Sequence, residues 1–173
     1  VARPVIGEGL RLRHPRPEDH LRLLAVLDEW WGGLGGEAGA QQRALLLPRL
    51  YFQHFTTTSW LVEDAEDRLV GFLIGFLSQT DPDAAYVHFV GIDPGLRRSG
   101  LARSLYQCFF DLAREHGRSR VQSITSPANT TSLAFHTALG FLVEQGEKVV
   151  DGVWVQPDYD GPGLDRIAFV RRL

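Results

Sequence analysis

Two adjacent arginines, a serine and a glycine, Arg97-Arg98-Ser99-Gly100, stand directly before an amphipathic run that opens with Leu101-Ala102. Within it Leu101, Leu105, Cys108, Phe109 and Leu112 recur at three- and four-residue spacing, which predicts a helix with one apolar stripe, and Gly117 supplies its stop. A strand that ends in Asp93-Pro94-Gly95 and turns into such a helix leaves the first-turn amides without intrahelical partners. Those amides, the partial positive charge of the helix end and two guanidiniums suit a pyrophosphate. The alternative is that Gly100 merely eases a turn and the arginines are solvated.

A second group lies in SPANTTSLAFHTALGF, from Ser126 to Phe141. It predicts a helix with Asn129 near its start and Gly140 at its end. Asn129, Ser132 or Leu133, and His136 share one face of it, while Phe135 and Leu139 lie on another. Upstream, strand alternation puts Tyr86 and His88 on the same face as Val90, and Glu63 sits on a neighbouring strand. Cys108 falls on the apolar stripe and is read as core in preference to nucleophile.

Taken together, the two groups resemble the GNAT superfamily of N-acetyltransferases. Arg97-x-x-Gly100-x-Ala102 is similar to its Arg/Gln-x-x-Gly-x-Gly/Ala loop, and Asn129 through Gly140-Phe141 to its Asn-x-x-(Ala/Ser)…(Tyr/His)-x-x-Leu-Gly-Phe segment. The resemblance implies an α/β fold of the α+β type: a mixed, twisted, mostly antiparallel central sheet of about six or seven strands, flanked by about four helices. It implies acetyl-CoA as the donor, with its pyrophosphate wrapped by Arg97, Arg98, Ser99, Gly100, Leu101, Ala102 and Arg103. Val90, Gly91 and Ile92 would pair with the pantetheine arm, and Asn129 would touch the cofactor. The acetyl group would pass to a primary amine on a small molecule or peptide by direct attack in a ternary complex. The competing expectation is a non-catalytic module of the same fold that binds and senses acyl-CoA.

Such an enzyme needs a neutral amine, an oxyanion donor and a proton for the departing thiolate. Deprotonating an alkyl amine of pKa about 10.4 at pH 7 costs roughly 4 to 5 kcal/mol, and an α-amine near 7.7 about 1. The former therefore wants a base, for which His88 and Glu63 are the candidates. The amide near Val90 is the oxyanion candidate. Many relatives carry tyrosine where this chain has His136, so His136 is expected as general acid, as cofactor contact or as a structural hydrogen-bonding group.

The elements that would hold these residues can be read in order. Residues 10–13 make a short strand, and a helix runs from about 18 to 31 with Leu23, Leu27 and Trp30 on its stripe and Leu21 and Leu24 broadening it. Gly32-Gly33-Leu34-Gly35-Gly36 comes directly after Trp30 and Trp31: either a mobile lid with aromatic contacts or a linker with the tryptophans in the core. A helix over 41–52 is interrupted at Pro48 and ends in an aromatic cluster that includes Phe52. By the resemblance these helices and their loop flank the acceptor, so Trp30, Trp31 and Phe52 are substrate-site candidates, as is Tyr159 in the turn-rich stretch 157–163. Strands are expected at 60–63, 69–77, 84–92, 121–125, 141–145 and 166–172, the second of these buried on both faces.

With 173 residues, one domain spanning 1–173 is the simplest organisation. A formal charge of −3 gives no basic face for nucleic acid, and nearly all the positive charge is arginine, Lys148 being the single lysine. No apolar run approaches a membrane span, no secretory pattern is seen, and the cytoplasm is expected by default. Six scattered histidines and one cysteine predict no metal site. A homodimer is expected from the resemblance alone.

Overall fold

The computed structural model describes residues 6–33 and 35–173. Two compact units interleave along the chain, the first ending its opening segment at Phe76 and resuming over Val87–Leu112, the second made of Leu77–Tyr86 and Ala113–Leu173.

In the first unit, helix α1 (Asp19–Trp30) buries Leu23, Leu27 and Trp30, spaced four and three residues apart on one stripe. Leu21, expected to widen that stripe, is 70% exposed, because it lies on the opposite side of the helix from Leu23. Helix α2 (Gly36–Leu46) begins inside the glycine-rich stretch, of which Leu34 lies outside the described residues. Leu47 leaves the helical region at φ −128°, ψ 63°, as the residue before a proline must. What the sequence presented as one interrupted helix is thus α2 and a single turn, α3 (Tyr51–His54).

Against these helices lie strands β1 (Arg11–Arg13), β2 (Trp60–Glu63) and β3 (Leu69–Leu77), paired antiparallel from β1 to β2 and from β2 to β3. Leu23, Leu27, Trp30, Leu47, Phe52, Leu61, Phe72 and Ile74 close one core. Seven successive residues of β3 are buried, so it is covered on both faces as its apolar run requires. Strand β4 (Ala84–Ile92) ends beside β3, where the Asp93 amide donates to the Val70 carbonyl at 2.9 Å. Helix α4 (Leu101–Glu115) then buries Leu101, Leu105, Cys108 and Phe109 as its periodicity demands.

In the second unit, Ala84, Ala85 and Tyr86 of β4 pair in parallel with Arg120, Val121 and Gln122 of β5 (Arg120–Thr125). That ladder is three residues long, so β4 runs on through Val87–Ile92 without it. Helix α5 (Thr130–Ala138) is capped by Asn129, whose Oδ1 accepts from the Ser132 amide at 3.0 Å. Gly140, at φ +84°, stops it, and the Phe141 amide closes back on the His136 carbonyl at 3.0 Å. Strand β6 (Leu142–Val143), the hairpin of β7 (Lys148–Val150) and β8 (Val153–Val155), and β9 (Ile167–Arg172) complete the chain. Strand β9 pairs antiparallel with both β5 and β6. The sheet order β1-β2-β3-β4-β5-β9-β6 gives seven strands, mostly antiparallel with one parallel pair, as the resemblance implied.

Candidate active site

The loop before α4 is built for an anion. Asp93 caps a short turn by accepting from the Gly95 amide at 2.7 Å, and Arg98 is held at φ +66°, a conformation uncommon for a residue with a side chain. Gly100 accepts the first helical bond of α4, from the Ser104 amide at 3.0 Å, and Ser99 Oγ lies 3.4 Å from the Leu101 amide. In the first turn of a helix begun in this way, the amides of Ala102 and Arg103 have no intrahelical acceptor. They are joined by the exposed Arg98 and Arg103 side chains. Donors and charge of this kind fit a pyrophosphate.

Arg97 is placed differently from the sequence expectation. Its Nη2 donates to the carbonyl of Trp30, the last residue of α1, at 3.4 Å. Trp30 and Phe52 are themselves core residues, 6% and 0% exposed, and therefore not available as substrate contacts. Trp31 is half-buried and closes a ladder of near-parallel rings: Trp30 on Phe72 at 6.1 Å, Phe72 on Phe89 at 5.7 Å, and Phe89 on Trp31 at 6.0 Å. Gly91, two residues beyond Phe89, packs against this ladder so closely that a Cβ there would lie 2.3 Å from the Phe72 ring. Val90, Gly91 and Ile92 thus form a strand end whose position is set by aromatic packing. Periodicity could not find Phe72 and Phe89 as partners, since both read as ordinary strand residues.

The three candidate acid–base groups are all engaged elsewhere. Glu63 is 2% exposed and takes hydrogen bonds from Arg11, Arg13 and Arg22, which hold its carboxyl far below the usual range. A carboxylate so stabilised is too weak a base for an ammonium, and the expectation for Glu63 is corrected on that ground. His88 donates from Nε2 to the Leu46 carbonyl and stacks on Tyr51 at 4.5 Å, with the rings 13° apart. Tyr51 belongs to the aromatic cluster that follows Pro48, and burial raises its hydroxyl pKa. Cys108 is buried, its thiol pushed up to about 11 by loss of solvent, which suits core and not nucleophile.

In the second unit, His136 is 6% exposed and stacks face to face on Phe169 at 4.5 Å. Its Nδ1 faces the Ser132 carbonyl at 2.8 Å, and because a carbonyl can only accept, the proton of the neutral ring sits on Nδ1. Burial lowers the His136 pKa, so the ring is neutral at pH 7 and poorly suited to give up a proton as a cation. The structural hydrogen bond that the sequence offered as one alternative is thus present. A depressed histidine pKa contributes stability that is full above the unfolded value near 6.5 and is lost as pH falls toward the folded one. The Tm should therefore fall as pH is taken below 6.5, and His136→Phe should flatten that slope. An unchanged slope would assign the titration elsewhere. Asn129 is exposed with its Oδ1 used in capping, and Tyr159 is half exposed in a turn closed by Asp158, whose Oδ1 accepts from the Gly163 amide.

Among the described residues no group of three or more His, Cys, Asp or Glu side chains is placed to hold a metal ion, and no helix is long and apolar enough to cross a membrane.

An α+β sheet whose strand β4 leads through a turn of backbone amides into α4 is a fold that comparison with known proteins matches. Residues 23–141 match the acetyltransferase (GNAT) family, and the chain belongs to that family. The match runs across both units. The L-2,4-diaminobutyric acid acetyltransferase of Nocardia farcinica is 32% identical over 90 residues, 52% of this chain and 46% of that protein. The mycothiol acetyltransferase of the same organism is 30% identical over 141 residues, 79% of this chain and 46% of that protein. The chain thus spans about half the length of these curated relatives. In fold it is similar to yncA of Salmonella typhimurium, solved with its cofactor acetyl-CoA, at a TM-score of 0.63 and 16% identity over 96% of this chain and 95% of that one.

Proposed function

We propose that this protein is an acetyl-CoA-dependent N-acetyltransferase that acetylates a primary amine on a small molecule by direct attack in a ternary complex. The observation that carries the reading is the anion-binding turn at Arg98–Arg103, with open amides at Ala102 and Arg103 and no phosphate chemistry of the ATPase kind in the chain. Acetyl-CoA supplies the activated acetyl group as a thioester. The turn binds the donor's pyrophosphate, and the end of β4 at Val90, Gly91 and Ile92 orients its arm by main-chain pairing. One preorganised amide near Val90 would contribute about 3 to 4 kcal/mol to oxyanion stabilisation. Membership of the family and the names of the two relatives support a small-molecule amine. We take both units as one catalytic domain, working as a cytoplasmic homodimer; gel filtration of the purified protein tests the dimer.

Because Glu63, His88 and His136 each have structural commitments, the acceptor is best read as an amine of lowered pKa, which costs only about 1 kcal/mol to deprotonate at pH 7. The same commitments favour, as a second reading, a module that binds acyl-CoA without turnover. Release of free thiol from acetyl-CoA in the presence of amines separates the two.

The test of donor binding is calorimetric titration with acetyl-CoA, repeated with Arg98→Gly. Glycine accepts the positive φ of position 98 without strain while removing the side chain with its guanidinium. A charge-assisted bond of about 1.5 to 3 kcal/mol predicts an affinity loss of roughly ten- to a hundredfold. No saturable binding by the intact protein would end the acetyltransferase reading.

A further inference from the structure

We infer that the open face of strands β5, β9 and β6 is where a second copy of this chain docks, about a two-fold axis that runs across the strands above Val170 and Leu142. The inference gives a surface to the homodimer proposed above, on which it rests, and is independent of the catalytic reading. The two faces of this part of the sheet differ. On one, Phe169 stacks on His136 and Arg171 Nη1 donates to the Leu139 carbonyl at 2.6 Å, so these residues of β9 are turned toward α5. Alternation turns Ala168, Val170 and Arg172 the other way. Arg120 and Gln122, opposite Arg172 and Val170 in register, share that second face, as does Leu142, opposite Val170 on the other side. Glu144 follows Leu142 on it, its amide donating to the Ala168 carbonyl at 2.8 Å.

The second face is apolar in the middle and charged toward its ends. Leu142 is 71% exposed, and Val170 and Ile124 are half-buried. Arg172 lies two residues to one side of Val170 along the strands and Glu144 two residues to the other, about 7 Å each way. Both line a cleft of about 290 Å³ together with Ser119, Arg120 and Val170. Arg120 is committed to Asp81, with Asp83 at 3.9 Å, whereas neither Arg172 nor Glu144 has a side-chain hydrogen bond or ion pair among the described residues. A partner for this face must therefore offer an apolar patch with an acidic and a basic group in reversed order, and the face itself has that composition. Its charges also choose the axis. A two-fold axis along the strands would set Arg172 against Arg172, while one across the strands reverses their direction and brings Arg172 of each copy over Glu144 of the other, one strand spacing aside. Leu142 and Val170 then meet their own counterparts. Sheets stacked in this way lie about 10 Å apart, a gap that an arginine and a glutamate side chain span together.

The experiment is sedimentation velocity on the purified chain over a concentration series, with circular dichroism to check the fold of each variant. Wild type should form a reversible dimer that weakens as salt is raised. Glu144→Arg and Arg172→Glu each set like charges against one another at both symmetric contacts, and each should raise the dimer Kd about tenfold. An equimolar mixture of these two variants places opposite charges together at both contacts of the mixed dimer, so its Kd should return to within about twofold of wild type. Leu142→Asp, which leaves the charge contacts in place, should raise the Kd about tenfold by putting two carboxylates into the apolar middle. If it folds poorly, the two charge variants and their mixture still carry the test. A mixture as weak as its components, or a dimer indifferent to all three substitutions, overturns this face and leaves the homodimer itself standing. A wild-type chain that stays monomeric at the highest soluble concentration overturns both.

Discussion

Gly91→Ala should lower the stability of this protein by about 3 kcal/mol and with it the capacity to bind acetyl-CoA, although the change adds only one methyl group. The added Cβ would sit 2.3 Å from Phe72 Cε1 and 2.7 Å from Cζ, well inside contact distance. Relief would require the Phe72 ring to move, and that ring is fully buried, with Trp30 stacked on it at 6.1 Å and Phe89 at 5.7 Å. The alternative is for β4 to move, which displaces Val90 and Ile92, the residues proposed above to orient the donor. In a protein of this size a loss of about 3 kcal/mol corresponds to a fall in Tm of roughly 6 to 12 °C. Urea unfolding should show a lower midpoint with an unchanged slope. Because the clash is with one ring, Phe72→Leu in the Gly91→Ala background should recover part of the loss, a non-additivity expected only of residues in contact. Gly91→Ala with a wild-type midpoint would mean that the strand end is not held by this packing.

Glu63→Gln is the second large effect. One carboxylate accepts from Arg11 at 2.6 Å, from Arg13 at 2.7 and 3.0 Å and from Arg22 at 2.5 Å, and Arg13 is shared with Asp19 at 2.7 Å through both its terminal nitrogens. Glutamine keeps the shape and removes the charge, leaving three guanidiniums facing one another around a neutral amide. Removing one partner of a buried ionic cluster costs about 3 to 5 kcal/mol, and the low end applies here because Arg11 and Arg22 are reached by solvent. The pH dependence has a definite sign. The arginines depress the Glu63 pKa, so its contribution is complete above the ordinary value of 4.5 and is lost as pH falls through the folded one. Urea unfolding at pH 7 should therefore separate wild type from Glu63→Gln, and the gap should narrow as the pH is taken below 4.5. A gap that stayed constant over that range would show that Glu63 acts through shape and not through charge.

The same residue illustrates the limit of reading one strand at a time. Glu63 lies on a strand near the site, which made it a reasonable base; its fate is decided by Arg11, Arg13 and Arg22, which are 41 to 52 positions away. Leu21 is the apolar counterpart. By composition it belonged to the stripe of α1, but the core lies on the side of Leu23 and Leu27, and Leu21 points into solvent.

What the sequence determined by itself is everything set by neighbours within about a turn or a strand. The boundaries of β2, β3 and β4 come from strand-forming runs between turn residues, nearly continuous in apolar residues for β3, and those of α4 and α5 from three- and four-residue periodicity closed by Gly117 and Gly140. The turn before α4, the start of α5 near Asn129 and the family itself were legible for the same reason, since each is written in contiguous residues. Only the tertiary structure decided which side chains are tied into the frame. His136 against Phe169, Trp30 against Phe72, His88 against Tyr51 and Arg97 at the Trp30 carbonyl are pairings between elements far apart in sequence. Burial and the nearest charge set a group's pKa and its freedom to act, and both are properties of the packed neighbourhood, which periodicity along one segment does not contain.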